Sequence, residues 1–337
     1  MAILRNSNIL VTGADGFIGS HLAEALLQRG CNVRALALYN ATGSWGHLNR
    51  FKNISHQRLE VVLGDVRDAA LMLKIMDGCS VVFHLAALIG IPYSYVAPQS
   101  YTDTNISGTL NLLLAARERS LVRFIHTSTS EVYGTAKYTP INEQHPIEAQ
   151  SPYAATKIAA DHMVLAFHRS FDLPTVVVRP FNTYGPRQSA RAIVPTIITQ
   201  IAAGKRTVHL GSIHPTRDLS FVKDTVAGFL AIAEADAAVG EVINLGTGCE
   251  ISIGELAHLI AEIMEVDIGI QTADERIRPP ASEVERLIAD VTKARRIAGW
   301  APQFAGRSGI RQGLTETIAW FRDPANLMAY DPTRYQI

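Results

Sequence analysis

The sequence predicts an α/β protein with a doubly wound parallel sheet and a smaller mixed α/β cap towards the C-terminus. Three observations carry this. Through the first half, short β-branched runs alternate with stretches of helical periodicity, the pattern of consecutive βαβ units. A glycine-rich turn separates the first run from the first helix. Beyond Pro180 the alternation gives way to prolines, loops and isolated helices. A length of 337 residues suits two lobes, at about 100–200 residues per domain.

In chain order, Asn8–Val11 reads as a buried strand and His21–Gln28 as the helix after it, closed by Gly30. Asn32–Leu38, Leu59–Leu63, Val81–Leu85, Phe124–Thr127 and Val176–Arg179 read as further buried strands. Helical spacing covers Gly108–Arg119 and Ala154–Phe167, then Val194–Ala203, Asp224–Ala233 and Ile253–Met264. Tyr184-Gly-Pro186 and Arg278-Pro-Pro280 are turn and loop chemistry.

Hydrophobic residues make up 47% of the chain and charged ones 18%, enough apolar material for a large core. Lysine plus arginine equals aspartate plus glutamate at 31 each, so the basic excess of a nucleic-acid binder is absent. An acidic ligand must therefore be held by a few placed groups. Cys31, Cys79 and Cys249 are scattered, which argues against a disulfide framework or a thiolate metal site. No HxxxH pair marks a zinc hydrolase, and no metal is expected. No stretch approaches the ~18 apolar residues of a membrane span. Met1–Ser7 lacks the apolar run of a signal peptide, so a cytoplasmic protein with no membrane partner is expected.

The glycine turn is Val11-Thr-Gly13-Ala-Asp15-Gly16-Phe17-Ile18-Gly19. Glycines between a strand and a helix let backbone N–H groups approach a pyrophosphate, and the helix N-terminus adds partial positive charge. The spacing is GxxGxxG and not GxGxxG, so its strand–turn–helix context carries the reading. A dinucleotide fold of this Rossmann type usually closes its second strand with an acid for the adenosine ribose, about 20 residues on. Here that position is Ala37, followed by Leu38, Tyr39 and Asn40. Arg34, the nearest arginine for a phosphorylated ribose, lies inside the strand, and Asp65 after the third strand is a candidate for the adenine edge. NAD is preferred over NADP.

Tyr153 and Lys157 stand four apart on a helical run, where residues share a face. An ammonium beside a phenol favours phenolate and lowers its pKa from ~10. Such a phenol can take a hydroxyl proton while hydride leaves the same carbon. Tyr133 and Lys137 repeat the spacing but straddle Gly134, and Ser151-Pro152 before Tyr153 favours the later pair.

Taken together, these motifs resemble the extended short-chain dehydrogenases/reductases that act on nucleotide sugars as NAD-dependent epimerases and dehydratases. The resemblance rests on Gly13/Gly16/Gly19, His84-Leu-Ala-Ala87, Asn105-Ile-Ser-Gly-Thr109, Ser128-Thr-Ser-Glu-Val-Tyr-Gly134, Tyr153-Ala-Ala-Thr-Lys157, Arg179-Pro-Phe-Asn-Thr-Tyr-Gly-Pro-Arg187, and Arg217-Asp218 with Phe221-Val222 and Asp224. It implies catalytic roles for Thr129, Ser130, Glu131, Tyr153 and Lys157. Cofactor contacts are implied for Gly13, Asp15, Gly16, Phe17, Ile18, Gly19, Asp65, Val66, Leu85, Ala86, Ala87, Asn105 and Thr127, and again for Tyr153 and Lys157. Substrate contacts are implied for Tyr93, Asn182, Arg187, Arg217, Arg278 and Glu283. The NAD-binding lobe would span residues 1–180 with about 218–250, and the nucleotide-sugar lobe 181–217 with 251–337. Family members commonly dimerise through the helices equivalent to Gly108–Arg119 and Tyr153–Phe167, so a homodimer is expected.

Within the family, Tyr39-Asn40 with Ser44-Trp45-Gly46, Ile91-Pro-Tyr-Ser-Tyr95 and His126-Thr-Ser-Thr-Ser-Glu131 are most similar to the configuration-retaining UDP-N-acetylglucosamine 4,6-dehydratases of the legionaminic acid type. Dehydration needs a carboxylate: once C4 is a ketone, the C5 proton is acidic and must be removed. The position before the glutamate, aspartate in some dehydratases, is Ser130, which leaves Glu131 as both base and acid. A C4 epimerase, a UDP-glucuronate-type decarboxylase and a dinucleotide-binding sensor without chemistry are the alternatives. His84 and His126 read as core histidines, and Trp300 and Trp320 as packing residues. Gly246-Thr-Gly248 before Ser252-Ile-Gly-Glu255 reads as a loop entering a capped helix.

Overall fold

The computed structural model describes residues 3–51, 58–328, 330 and 331. The termini of the two expected lobes, residues 1–2 and 332–337, lie outside them. The strands are β1 (Asn8–Thr12), β2 (Asn32–Leu38), β3 (Leu59–Gly64), β4 (Val81–His84), β5 (Arg123–Thr127), β6 (Thr175–Pro180), β7 (Asn182–Tyr184), β8 (Thr207–Leu210), β9 (Thr216–Phe221), β10 (Val242–Leu245), β11 (Glu250–Ser252), β12 (Gly269–Thr272) and β13 (Arg286–Leu287). The helices are α1 (Phe17–Gln28), α2 (Ala69–Ile75), α3 (Ile91–Val96), α4 (Pro98–Tyr101), α5 (Gly108–Arg117), α6 (Pro152–Phe171), α7 (Ile193–Ala202), α8 (Val222–Glu234), α9 (Ile253–Met264), α10 (Thr292–Ala298), α11 (Gly306–Arg322) and α12 (Pro324–Leu327).

Seven strands form one parallel sheet in the order β10-β6-β5-β4-β1-β2-β3. The chain runs outward from β1 to β3, then returns to place β4 on the other side of β1. This reversal opens a crevice at the carboxyl ends of β1 and β4, the place where doubly wound sheets bind ligands. The central strands are buried on both faces: Ile9–Val11, Val81–Phe83 and Val176–Val178 are at most 0% exposed. That is why they read as continuous apolar runs.

Beyond Pro180 the structure corrects the expectation of loops and isolated helices. β7, β9, β11 and β13 form a second sheet, with β11 antiparallel to β9 and both β7 and β13 parallel to it. β8 and β12 make a third, two-stranded one. These strands are short, and β9 is polar (Thr-Arg-Asp-Leu-Ser-Phe), so no period betrays them. β10 returns to the main sheet beside β6, an addition not anticipated as a strand. Helix α1 starts at Phe17, four residues before the expected His21, because extended Gly16 already acts as its N-cap. Ser252 and Glu255 form the expected capping box on α9.

Two aspartates of the shared motifs build this fold instead of acting in it. Asp218 accepts N–H bonds from Thr247, Gly248 and Ala289, which turns Gly246–Gly248 into a clamp around a buried carboxylate. Asp224 accepts from Gln303 and Phe304, while Trp300 donates to its carbonyl. Trp300 is buried, and Trp320 packs on Phe321.

Candidate active site

At the crevice, Gly13 turns with φ +66, and a Cβ there would lie 2.8 Å from the Ala86 nitrogen. Only glycine lets the loop seat on the exit of β4. A Cβ on Gly19 would meet the Gly13 carbonyl at 2.1 Å. Gly16 offers no side-chain cap, and the first turn of α1 holds no acid. The amides around Phe17, Ile18 and Gly19 are thus open to an anion. Thr12 Oγ1 accepts from Leu85 and Ala86 N–H at 3.2 and 3.1 Å, which holds Leu85–Ala87 beside this cradle. A dinucleotide diphosphate fits such a set of donors.

Asn105 is spent elsewhere. Its amide exchanges bonds with Leu88 N and O and donates to Thr156 Oγ1, bracing the loop after β4 against α6. It does so from a π-helical turn, Thr102–Ser107. Asp65 is also occupied: Arg67 meets its carboxylate through Nε and Nη2 and holds it below the usual range. Val66 is buried against Gly108, whose Cβ would come within 2.7 Å of it. The Thr127 hydroxyl is buried without a partner among the described residues.

Ser151 caps α6 by accepting from Ala154 N–H, Pro152 takes the first turn, and Tyr153 and Lys157 follow on one face. Tyr153 is buried beside Ile91 and Tyr101, whose ring meets it edge-on at 6.3 Å. Tyr93 joins the same cluster. The Thr129 hydroxyl shares a hydrogen bond with the phenol. Lys157 Nζ donates to the Thr127 carbonyl at 2.7 Å and lies 3.5 Å from His126 Nε2. Burial lowers the Lys157 pKa to about 8, with Asp161 pulling the other way.

The acidification expected from Lys157 has to overcome burial. Burial raises the Tyr153 pKa far above its ordinary value, the negative charge of Glu131 adds to this, and only the Thr129 bond opposes it. The Lys157 ammonium, on the same helix face, is directed at the Thr127 carbonyl. The competing pair is apart: Tyr133 is buried on Asn244, and Lys137 pairs with Glu148 at the surface.

Glu131 lies in a 3₁₀ turn after β5, Ser130–Tyr133, and is 8% exposed, with Ser130 buried beside it. Its charge acts on Tyr153 and on Arg217. It is no solvated strand-end carboxylate.

Behind these groups runs a polar network that the sequence reading missed. Asp161 Oδ2 accepts from Ser128 Oγ at 2.8 Å and from Arg179 Nε and Nη2 at 3.0 Å. Its other oxygen lies 3.4 Å from His126 Nε2. Arg179 Nη1 donates to Tyr133 Oη, which donates to Asn244. His126 is indeed buried, but as a member of this chain of bonds; burial and the nearby Lys157 lower its pKa to about 4. His84 likewise bridges Thr12 and Thr109. A signal for Asp161 existed: Tyr153, Lys157 and Asp161 fall at successive spacings of four along one helix face.

On the opposite side, Glu283 Oε1 takes Arg217 Nη2 at 3.0 Å and Arg278 Nη1 at 3.5 Å. Two cations share this carboxylate, and the charge of Glu131 also acts on Arg217. Asn182 Oδ1 is buried with no partner among the described residues. Arg187 does not join them. Its guanidinium pairs with Glu24, donates to Ser20 Oγ and lies over the Phe51 ring, so its charge is balanced on α1 and is not free for a diphosphate. His21 contacts the Pro186 carbonyl at 3.0 Å, and His47 the backbone of Arg187, which turns with φ +70. Among the described residues no group of three potential metal ligands occurs, the cysteines are free, and no helix is long and apolar enough to cross a membrane.

Residues 10–313 match the family model described as GDP-mannose 4,6 dehydratase. The UDP-glucose 4-epimerase of Mycolicibacterium smegmatis is 34% identical over 319 residues, covering 93% of this chain and 98% of that protein. UDP-glucuronic acid 4-epimerase from Bacillus cereus, crystallised with UDP-glucuronic acid and NAD, superposes with a TM-score of 0.85 at 30% identity, covering 94% of this chain and 99% of the other. DesIV, a dTDP-glucose 4,6-dehydratase from Streptomyces venezuelae crystallised as a double mutant with NAD, gives 0.86 at 29% identity over 95% and 98% of the two chains. On fold, motifs and these matches, the chain belongs to the GDP-mannose 4,6-dehydratase-like family of extended short-chain dehydrogenases/reductases.

Proposed function

We propose that the protein is an NAD-dependent nucleotide-sugar 4,6-dehydratase acting on UDP-N-acetylglucosamine or a close UDP-hexose. The observation that carries this reading is the buried carboxylate of Glu131 next to Tyr153, since plain C4 epimerisation has no use for a base there. The cofactor is NAD, as in the crystallised neighbours. Gly13, Gly16 and the first amides of α1 would hold its diphosphate, with Leu85–Ala87 and Thr127 along the crevice. When bound, it supplies the acceptor for a hydride from C4 and returns that hydride to C6.

Tyr153, as the phenolate that Lys157 and the cationic nicotinamide ring would favour, takes the O4 proton, with Thr129 holding the same oxygen. Glu131 removes the C5 proton and hands it to the departing C6 hydroxyl, which leaves as water. C5 then takes up a proton, so the product is a 4-keto-6-deoxy sugar one water lighter. Ser130 stands where an aspartate could have shared the work, which leaves both proton transfers to Glu131. Arg217, Arg278, Asn182 and Tyr93 bind the nucleotide sugar, with Glu283 between the arginines. Residues 1–180 with about 218–250 would carry the cofactor, and 181–217 with 251–337 the substrate. A cytoplasmic homodimer through α5 and α6 completes the reading; Leu114 on α5 and Phe171 on α6 are exposed.

Mass spectrometry after incubation with UDP-N-acetylglucosamine in deuterated water tests it. Loss of one water with one deuterium gained supports dehydration. An isomer of unchanged mass means an epimerase, and carbon dioxide released from a uronate means a decarboxylase. Cofactor bound with no turnover across a panel of nucleotide sugars means a sensor.

A further inference from the structure

β2 ends without an acid: Ala37 is fully buried, while Leu38 and Tyr39 face solvent at 58% and 70% exposure. Where a dinucleotide binds at a switch point, a carboxylate beside the end of this strand accepts from the adenosine ribose hydroxyls and rejects a 2′-phosphate. The structure supplies a carboxylate at that place from the turn after the neighbouring strand β1. Asp15, in the glycine turn, points Oδ2 at the Leu38 N–H, 3.4 Å away. It has no paired cation among the described residues.

The segment after β2 holds it there. Asn40 folds residues 40–44 around its own side chain, donating to the Leu38 and Ser44 carbonyls and accepting from Thr42 and Ser44. This brings Gly46, at φ +55, so close to Asp15 that a Cβ would lie 2.8 Å from its carbonyl, and His47 N–H donates to that carbonyl at 3.1 Å. Loop 39–46 and the glycine turn are thereby fastened together with the Asp15 carboxylate between them. The other candidates are engaged: Asp65 by Arg67, and Arg34 by Glu60 and the carbonyls of Ile75 and Asp77.

We propose that Asp15 replaces the missing acid of β2, accepting from the adenosine ribose and selecting NAD over NADP. The inference rests on the NAD-binding reading above. It explains why the Asn40-centred loop and Gly46 accompany an alanine at position 37.

Full-length protein is equilibrated with equal concentrations of NAD+ and NADP+, separated from free nucleotide, and its bound nucleotide quantified by chromatography. Wild type should retain NAD. In Asp15→Asn, an isostere that can still accept from Leu38, the NADP share should rise by about tenfold, the loss of one charge-assisted bond. Asp65→Asn should leave the ratio unchanged. An unaltered ratio in Asp15→Asn, with the fold intact by circular dichroism, overturns the proposal, as does a shift in Asp65→Asn alone. Retention of neither nucleotide by wild type would instead remove the cofactor reading itself.

Discussion

The two sides of Tyr153 are built differently. Behind it, Lys157, His126, Asp161, Arg179, Tyr133 and Asn244 are all buried and bonded largely to one another. In front, Arg217 and Arg278 share the single carboxylate of Glu283, and Arg278 is 27% exposed. The rear set closes on itself, so it fixes the reacting groups whether or not a ligand is present. The front set, where the charge of Glu131 also acts on Arg217, stays open to solvent at Arg278. On the reading proposed above, a neutral chain would hold a diphosphate by such placed groups and not by a general field.

The largest effect should come at the boundary between them. Tyr153→Phe removes the proton acceptor and should lower turnover by roughly 10²–10⁴-fold, the usual scale for a positioned general base. Nucleotide retention should stay unchanged, as read by product mass and by released cofactor. Next, Asp161→Asn removes the carboxylate that pairs with Arg179 in the rear network and leaves that guanidinium buried without its counter-charge. Such a loss costs about 3–5 kcal/mol, measurable as a lower urea midpoint; an unmoved midpoint would break the contrast drawn above. Arg217→Ala should weaken nucleotide-sugar binding by about 1.5–3 kcal/mol, the worth of a hydrogen bond to a charged group. Titration calorimetry should show a smaller loss for the more exposed Arg278→Ala.

The smallest effect near neutrality concerns pH. Burial keeps His126 and His47 neutral down to about 4 and His21 down to about 3. Unfolded histidines titrate near ~6.5. These groups bind protons more readily in the unfolded chain, so their stabilisation is full above ~6.5 and is lost as pH falls towards 4. For fully buried His126 the slope reaches about 1.4 kcal/mol per pH unit in that window. A melting temperature that stays flat from pH 7 to 5 would contradict the buried placement.

What could be read from the sequence follows physical regularity. The parallel sheet was legible because β1, β4, β5 and β6 are buried on both faces and so are unbroken apolar runs. The glycine turn was legible because glycine is required where backbones touch, as at Gly13. The second sheet was not, since β7, β11 and β13 have only two or three residues each and take their register from partners far along the chain. Arg187 shows the limit of motif reading. It sits in a motif shared with nucleotide-sugar enzymes, yet its partners, Glu24 and Ser20, lie more than a hundred residues away and no local pattern names them. Asp161 was hidden for the opposite reason: a charged residue on a long helix reads as solvated until the strands behind it are in place.

The clasp at Pro186–Arg187 has a practical consequence. The first turn of chain leaving β7 is pinned to α1 by His21, Glu24 and Ser20, and to the turn Gly46–Phe51 by His47. A chimaera that grafts residues 181–217 and 251–337 onto the rest of a relative's chain must therefore import those four side chains as well. Without them the graft would splice at a seam that has no rivet.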